Sequence, residues 1–337
     1  MEPCWACHWG HCSTVTVKEG KAKGYVGKEP EFEIVAMWTM NIGSDDIGEA
    51  VRLNDIGNKM GFDAKELGYL VSMLMECFSE GILTLEDTGG LDLSWGNTES
   101  VAKLIPEIAF KRGFGAKLVG GVKKTAELIG GEALNKAVYM GRGLAPHGVN
   151  GRPFWSLWYN LNLSDTGSFY GGAAMDPDIG NTEPIGLYDA DKIGKYMPNN
   201  ANKTILYDTL GVCYFMVLGA TQPTIDALNA ATGGDMTKDE YFEVGKRIRA
   251  ISRAYNILNG LTPEIEMSVS PRYARDPSEG AAAGKAIGVN RENIYRDYYE
   301  VSGWDKETSK PLSETLRNLG LGYMIKDLWP DYAGETK

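Results

Sequence analysis

Histidine, cysteine and positive charge are all scarce in this sequence, and each shortage narrows what the chain can be. Lys and Arg number 34 against 45 Asp and Glu, giving a formal net charge of -11 and an isoelectric point near 5.0. Affinity for a phosphate backbone depends on cationic side chains displacing counterions, so nucleic acid is excluded as the expected partner. No apolar run approaches the roughly 20 residues needed to cross a bilayer. Met1-Glu2-Pro3-Cys4 lacks the basic and apolar regions of a signal peptide, so no membrane association and a cytoplasmic location are expected. Strand-like alternation longer than a few residues, internal repeats and low-complexity segments are also missing. What remains is a chain with 43% hydrophobic residues and a mean hydropathy of -0.26, enough apolar surface for packed cores.

With 337 residues the chain exceeds the roughly 250–300 at which a single core stops growing, so two packed units are expected. Gly24, Gly27, Pro30 and Gly43 make residues 1–43 read as loop with short extended pieces. Ser44-Asp45-Asp46 supplies an N-cap and acidic first turn for a helix that stops at Gly61. A second helix runs from about Ala64 to Gly81, with Leu67, Leu70, Val71, Leu74, Met75 and Phe78 at three- and four-residue spacing. Helices resume near Thr98 and again from Val119 to Ala137. Residues 140–200 are rich in Gly, Pro, Asn and aromatics with weak periodicity, and read as irregular chain lining a cleft. Thr237-Lys238-Asp239-Glu240 is a capping box that opens a long amphipathic helix, and a further helix starts near Ser313. The fold class is therefore mainly α, with a first helical domain over 1–140 and a second over 141–337.

Three of the five cysteines, Cys4, Cys7 and Cys12, fall within nine residues, a clustering that in a large chain points to metal rather than to disulfides. An iron-sulfur cluster needs a fourth thiolate, and Cys213 suits that role better than Cys77, which sits on a helix and reads as a small buried residue. Cys4, Cys7 and Cys12 with His8 or His11 would equally satisfy tetrahedral zinc, and spacing alone leaves both readings open.

Several blocks, in order, resemble the aldehyde:ferredoxin oxidoreductase family, over nearly the whole chain. The cysteine loop is similar to the first three cluster ligands of that family. Pro30-Glu31-Phe32-Glu33 resembles its Pro-Glu-Tyr-Glu block near the metal. Asn58-Lys59-Met60-Gly61-Phe62-Asp63 and Asp208-Thr209-Leu210-Gly211-Val212-Cys213 are similar to its two Asp-x-x-Gly-Leu-Asp/Cys pterin motifs. The resemblance implies two helical domains whose irregular loops line a tungsten or molybdenum bis-pterin and a [4Fe-4S] cluster. It implies Cys4, Cys7, Cys12 and Cys213 as cluster ligands, and Asn58, Gly61, Asp63, Asp208, Gly211 and Val212 as pterin contacts. The activity it implies is oxidation of a small aldehyde or acyl substrate in an anaerobic setting, with ferredoxin as electron acceptor.

The sequence departs from the family pattern in four places. Cys7 and Cys12 are separated by four residues rather than three, and Asn58 replaces an aspartate. The block Asn162-Leu163-Ser164-Asp165-Thr166-Gly167-Ser168 has no histidine where aldehyde-oxidising members carry one, which leaves Glu31 and Glu33 as the general acid/base candidates. His147, the remaining histidine outside the cysteine loop, reads as a loop residue. The amino-terminal β-rich domain of the family has no counterpart here, so a partner subunit supplying it is expected; a homo-oligomer is compatible with the same reading. Two other functions stay in view: a class II benzoyl-CoA reductase-like catalytic subunit, and a non-catalytic binding or scaffold protein stabilised by zinc. The aromatic run Phe154-Trp155-Ser156-Leu157-Trp158-Tyr159, continued by Phe169-Tyr170, reads either as a substrate pocket or as ordinary core packing.

Overall fold

Helical periodicity with almost no alternation predicts a mainly α chain, and the computed structural model has that architecture. It describes residues 4, 5, 7, 10, 13–148, 150–167, 186–217, 219–288 and 291–334. A two-stranded antiparallel hairpin pairs β1 (Thr14–Thr16) with β2 (Val26–Lys28), Val15 opposite Gly27. There follow α1 (Phe32–Trp38), α2 (Ile47–Lys59), α3 (Ala64–Ser79), α4 (Thr98–Ala109), α5 (Gly121–Ile129) and α6 (Ala133–Lys136). Next come α7 (Trp155–Leu163), α8 (Ala190–Leu210), α9 (Tyr214–Val217), α10 (Thr221–Thr232), α11 (Lys238–Leu258) and α12 (Pro263–Met267). The chain closes with α13 (Pro271–Ala274), α14 (Arg291–Val301), α15 (Ser313–Asn318) and α16 (Ile325–Leu328). No described helix is long and apolar enough to cross a membrane.

Two compact units result. Residues 1–149 and 269–274 form the first, and 150–268 with 275–337 form the second. In the first, α3 is central: Leu67, Leu70, Val71 and Leu74 join Trp38 of α1, Leu53 of α2 and Leu104 of α4 in one buried cluster. Asp46 caps α2 through the Glu49 N–H, and Asp63 caps α3 through the N–H groups of Lys65 and Glu66. Cys77 is fully buried in α3, and burial pushes its thiol up to about 11, so it stays protonated.

In the second unit, α8 packs against both α11 and α14. The capping box predicted from Thr237 and Glu240 is present at the start of α11, with both reciprocal bonds made. Arg253 on α11 is wholly buried and bonds both oxygens of buried Glu266, at 2.5 and 2.8 Å. Its guanidinium lies between the rings of Tyr299 and Trp304, 5.2 and 4.8 Å from their centroids. Tyr299 Oη donates to the same Glu266 at 2.7 Å. Burial works against the charge on Arg253, but the Glu266 carboxylate and its hydrogen bonds more than offset it, and the net pKa is raised.

Two segments differ from the sequence expectation. Residues 32–38 form a helix rather than loop, because Ile34, Met37 and Trp38 make a buried stripe too short for periodicity to register. Residues 155–163 and 190–200 are helical as well; α7 is buried on nearly every face, so it offers no polar stripe, and α8 carries Pro198 and an Asn run inside it. Trp155, Trp158 and Tyr159 are core: Tyr159 donates to the Ile287 carbonyl at 2.5 Å, and its ring meets Tyr295 edge-on. Phe169, Tyr170 and Ser168 lie outside the described residues.

Removing one member of a buried ion pair leaves the other charged and desolvated. Glu266→Ala should therefore destabilise the chain by about 3–5 kcal/mol, read by urea denaturation, whereas the apolar pair Arg253→Met with Glu266→Leu should recover most of that loss.

Candidate functional site

The residues singled out by pattern fall on three local structures. The first is the amino-terminal turn, where the Cys7 N–H bonds the Cys4 carbonyl at 3.0 Å. Cys4 is exposed and Cys7 half-buried, and neither is in a disulfide. Cys12, His8 and His11 lie outside the described residues. Among the described residues, no group of three or more His, Cys, Asp or Glu side chains stands close enough together to hold a metal.

The second structure is a helix ending used twice. At the end of α2, Gly61 takes φ of 79°, its N–H bonds the Asn58 carbonyl at 3.1 Å, and the Phe62 N–H bonds the Gly57 carbonyl at 3.1 Å. At the end of α8, Gly211 takes φ of 68°, its N–H bonds the Asp208 carbonyl at 3.1 Å, and the Val212 N–H bonds the Tyr207 carbonyl at 3.0 Å. Both are Schellman endings, which need a residue in the left-handed region and so favour glycine. A Cβ on either glycine would meet nothing within 4 Å, so both turns are open to an approaching group.

The two turns differ in what their side chains do. Asp63 Oδ1 accepts the Lys65 and Glu66 N–H groups at 2.9 and 2.8 Å, which is helix capping. Asn58 is exposed on the last turn of α2. Asp208 accepts no side-chain hydrogen bond among the described residues, and protein crowding its carboxyl raises the pKa by desolvation. An acid in the last turn of a 21-residue helix also opposes the macrodipole, so stability does not account for Asp208. Cys213, two residues past Gly211, is exposed and free. An unpaired acid, an open glycine and a free thiol on one turn suit a ligand that takes hydrogen bonds and a thiolate together. The α2 turn suits it through Asn58 and the second oxygen of Asp63.

The third structure surrounds Glu33. Glu31 is exposed and precedes α1, while Glu33 is buried, with Oε1 2.9 Å from Nε2 of buried His147. His147, expected to be a plain loop residue, is thus in contact with one of the acid/base candidates. Sequence reading also missed Glu66, whose carboxylate accepts the N–H groups of Val122 and Ala145 at 2.7 and 2.6 Å. Burial raises its pKa, and those two bonds partly offset the shift. A cavity of about 230 Å³ opens beside it, lined by Phe62, Asp63, Glu66, Gly120, Gly121 and Leu144 among others. The signal that could have marked His147 is scarcity: it is one of three histidines, and the other two are in the cysteine loop.

The fold matches that of a chain of the active site complex BamBC of benzoyl coenzyme A reductase, bound to 1,5-dienoyl-CoA. The TM-score is 0.70 at 18% identity, covering 98% of this chain and 54% of that one. The family model for aldehyde ferredoxin oxidoreductase, domains 2 and 3, matches residues 1–321, and the chain belongs to that family. It is 30% identical over 335 residues to the tungsten-containing aldehyde ferredoxin oxidoreductase of Pyrococcus furiosus, covering 95% of this chain and 52% of the relative. The aliphatic sulfonate oxidoreductase WOR-like subunit of the same organism is 28% identical over 319 residues, covering 91% and 48%. The chain spans about half the length of the relatives it matches.

The Asp208 shift has a measurable consequence. A carboxyl whose folded-state pKa is raised contributes stability while protonated, and that contribution is lost as pH rises through the folded pKa. Asn stays neutral throughout. In melts of the 337-residue chain, Asp208→Asn should melt above the wild type near pH 7, and the gap should close as pH falls below the ordinary aspartate pKa.

Proposed function

We propose that this chain is the helical portion of a pterin-dependent oxidoreductase that oxidises an aldehyde to a carboxylic acid, with electrons passing through an iron-sulfur cluster to ferredoxin. The observation that carries the reading is the α8 ending, which presents an open Gly211, a free Cys213 and an Asp208 with no partner among the described residues, all within six residues of chain. Cys4, Cys7, Cys12 and Cys213 would hold a [4Fe-4S] cluster. Asn58 and Asp63 on one turn, and Asp208 on the other, would bond the amino groups of a tungsten or molybdenum bis-pterin. Gly61, Gly211 and Val212 would let that group approach the backbone closely. When bound, the metal-pterin group supplies the two-electron chemistry, and the protein supplies orientation and electrostatics.

Aldehyde oxidation with water as oxygen donor, RCHO + H2O to RCOOH, releases two protons and two electrons. A base must therefore accept a proton from the attacking water. We assign that role to Glu33, buried in the first unit beside His147, rather than to exposed Glu31. The part of the relatives that this chain does not span would come from further polypeptide, most simply a partner subunit. A second reading, reduction of an aryl thioester, is favoured by the missing histidine in residues 162–168.

The test is anaerobic purification of the chain with whatever accompanies it, followed by metal analysis and visible spectroscopy. The expected result is a brown protein with about four iron atoms per chain and tungsten or molybdenum, and a Cys213→Ala variant that loses the iron. A colourless protein holding zinc would overturn the redox reading in favour of a zinc-stabilised scaffold. Aldehyde-dependent reduction of a viologen dye, assayed beside aryl-thioester reduction, separates the two enzymatic readings. Full turnover by the chain purified alone would remove the need for a partner.

A further inference from the structure

In the first unit, a short loop is tied down at two points by carboxylates from different helices. The loop turns on itself, with the Gly143 N–H bonding the Met140 carbonyl and the Met140 N–H bonding the Leu144 carbonyl, both at 2.8 Å. Glu66, in the first turn of α3, then holds the Ala145 N–H with one oxygen and the Val122 N–H of α5 with the other. Two residues on from that anchor, His147 meets Glu33 of α1 at 2.9 Å. Glu33 is 8% exposed and His147 7%. Gly148 completes the fit, since a Cβ there would lie 2.7 Å from the Glu33 Cβ.

Apolar residues would pack the same space at less desolvation cost, so stability alone does not call for a buried carboxylate facing an imidazole. With Glu33 ionised the carboxylate only accepts, so a hydrogen bond across this 2.9 Å contact needs the hydrogen on Nε2 of His147. Such a bond would hold Oε1 toward the ring.

We propose that His147 is the positioning residue for Glu33 in the proton-transfer step, and that Glu66 fixes the loop that carries it. The proposal rests on the reading of Glu33 as the base and deepens it by naming what aims the carboxylate. In the step itself, Glu33 gains the proton of the attacking water as that water's oxygen bonds to the substrate carbonyl carbon and the C=O π pair moves onto the carbonyl oxygen. The Nε2–H of His147 stays on imidazole facing Oε1; the aldehyde C–H bond then breaks, its hydrogen leaving as a proton to solvent and its two electrons leaving by the acceptor already named.

Two arms test this. In the intact, metal-loaded enzyme, His147→Phe keeps a ring but removes the donor, and His147→Gln restores an N–H. The expected result is a fall in kcat of at least about tenfold for Phe, with KM and metal content unchanged, and recovery to within about threefold for Gln. In the 337-residue chain without cofactor, nitrogen-15 NMR of its three histidines should show hydrogen on His147 Nε2, and Glu33→Gln should shift that signal. Glu66→Gln, which sets an amide NH2 against a backbone N–H, should speed hydrogen exchange at Ala145 and lower kcat in parallel. Turnover that survives His147→Phe, or an Nε2 signal indifferent to Glu33→Gln, overturns this proposal alone. A loaded wild type with no turnover on any aldehyde overturns the functional reading, and this proposal with it.

Discussion

Two helices in this protein must stop on a left-handed residue, and the candidate site depends on where they stop. In α2 and α8 the last carbonyls are closed by the same pair of backbone bonds, and Gly61 and Gly211 are the residues that permit the reversal. Each reversal sends the chain out of its helix at a set angle. A polar side chain remains on the final turn, and a second one follows two residues beyond the glycine. One conformational requirement thus sets the positions of Asn58, Asp63, Asp208 and Cys213 within their own turns.

The same turn is used to different ends in the two units. In the first, Asp63 begins the next helix and bonds its opening N–H groups, so the motif links α2 to α3 and helps build the core around Leu67 and Leu70. In the second, the turn leads into the short α9, and the Asp208 carboxylate accepts no hydrogen bond from the described residues, on a helix end that disfavours it. A different feature organises the interior of that unit. Arg253, Glu266, Tyr299 and Trp304 form a desolvated, mutually satisfied cluster that joins α11, α12 and α14. The chain's membership of the aldehyde ferredoxin oxidoreductase family gives the exposed turn at Gly211 a context that packing does not.

Much of the fold was legible because local signals and burial agree there. The Thr237 capping box, the Asp46 cap and the apolar stripe of α3 each announce a helix, and each is present. The failures have one cause: amphipathic reading needs a contrast between faces. α7 has none, since Trp155, Trp158 and Tyr159 are buried along with Asn160 and Asn162. α1 is too short to show one, and in α8 the Asn run and Pro198 suggest irregular chain where packing against α11 and α14 holds a helix together.

By itself, the sequence determined the helical class, the helix stop at Gly61, and the family to which the chain belongs, because these follow from side-chain type and short-range spacing. Only the tertiary structure decided that Glu33 and His147, 114 positions apart, stand 2.9 Å from each other, and that Glu66 anchors the loop carrying His147. Such pairings depend on how α1, α3 and α5 pack around one core. Spacing along the chain carries no record of that geometry.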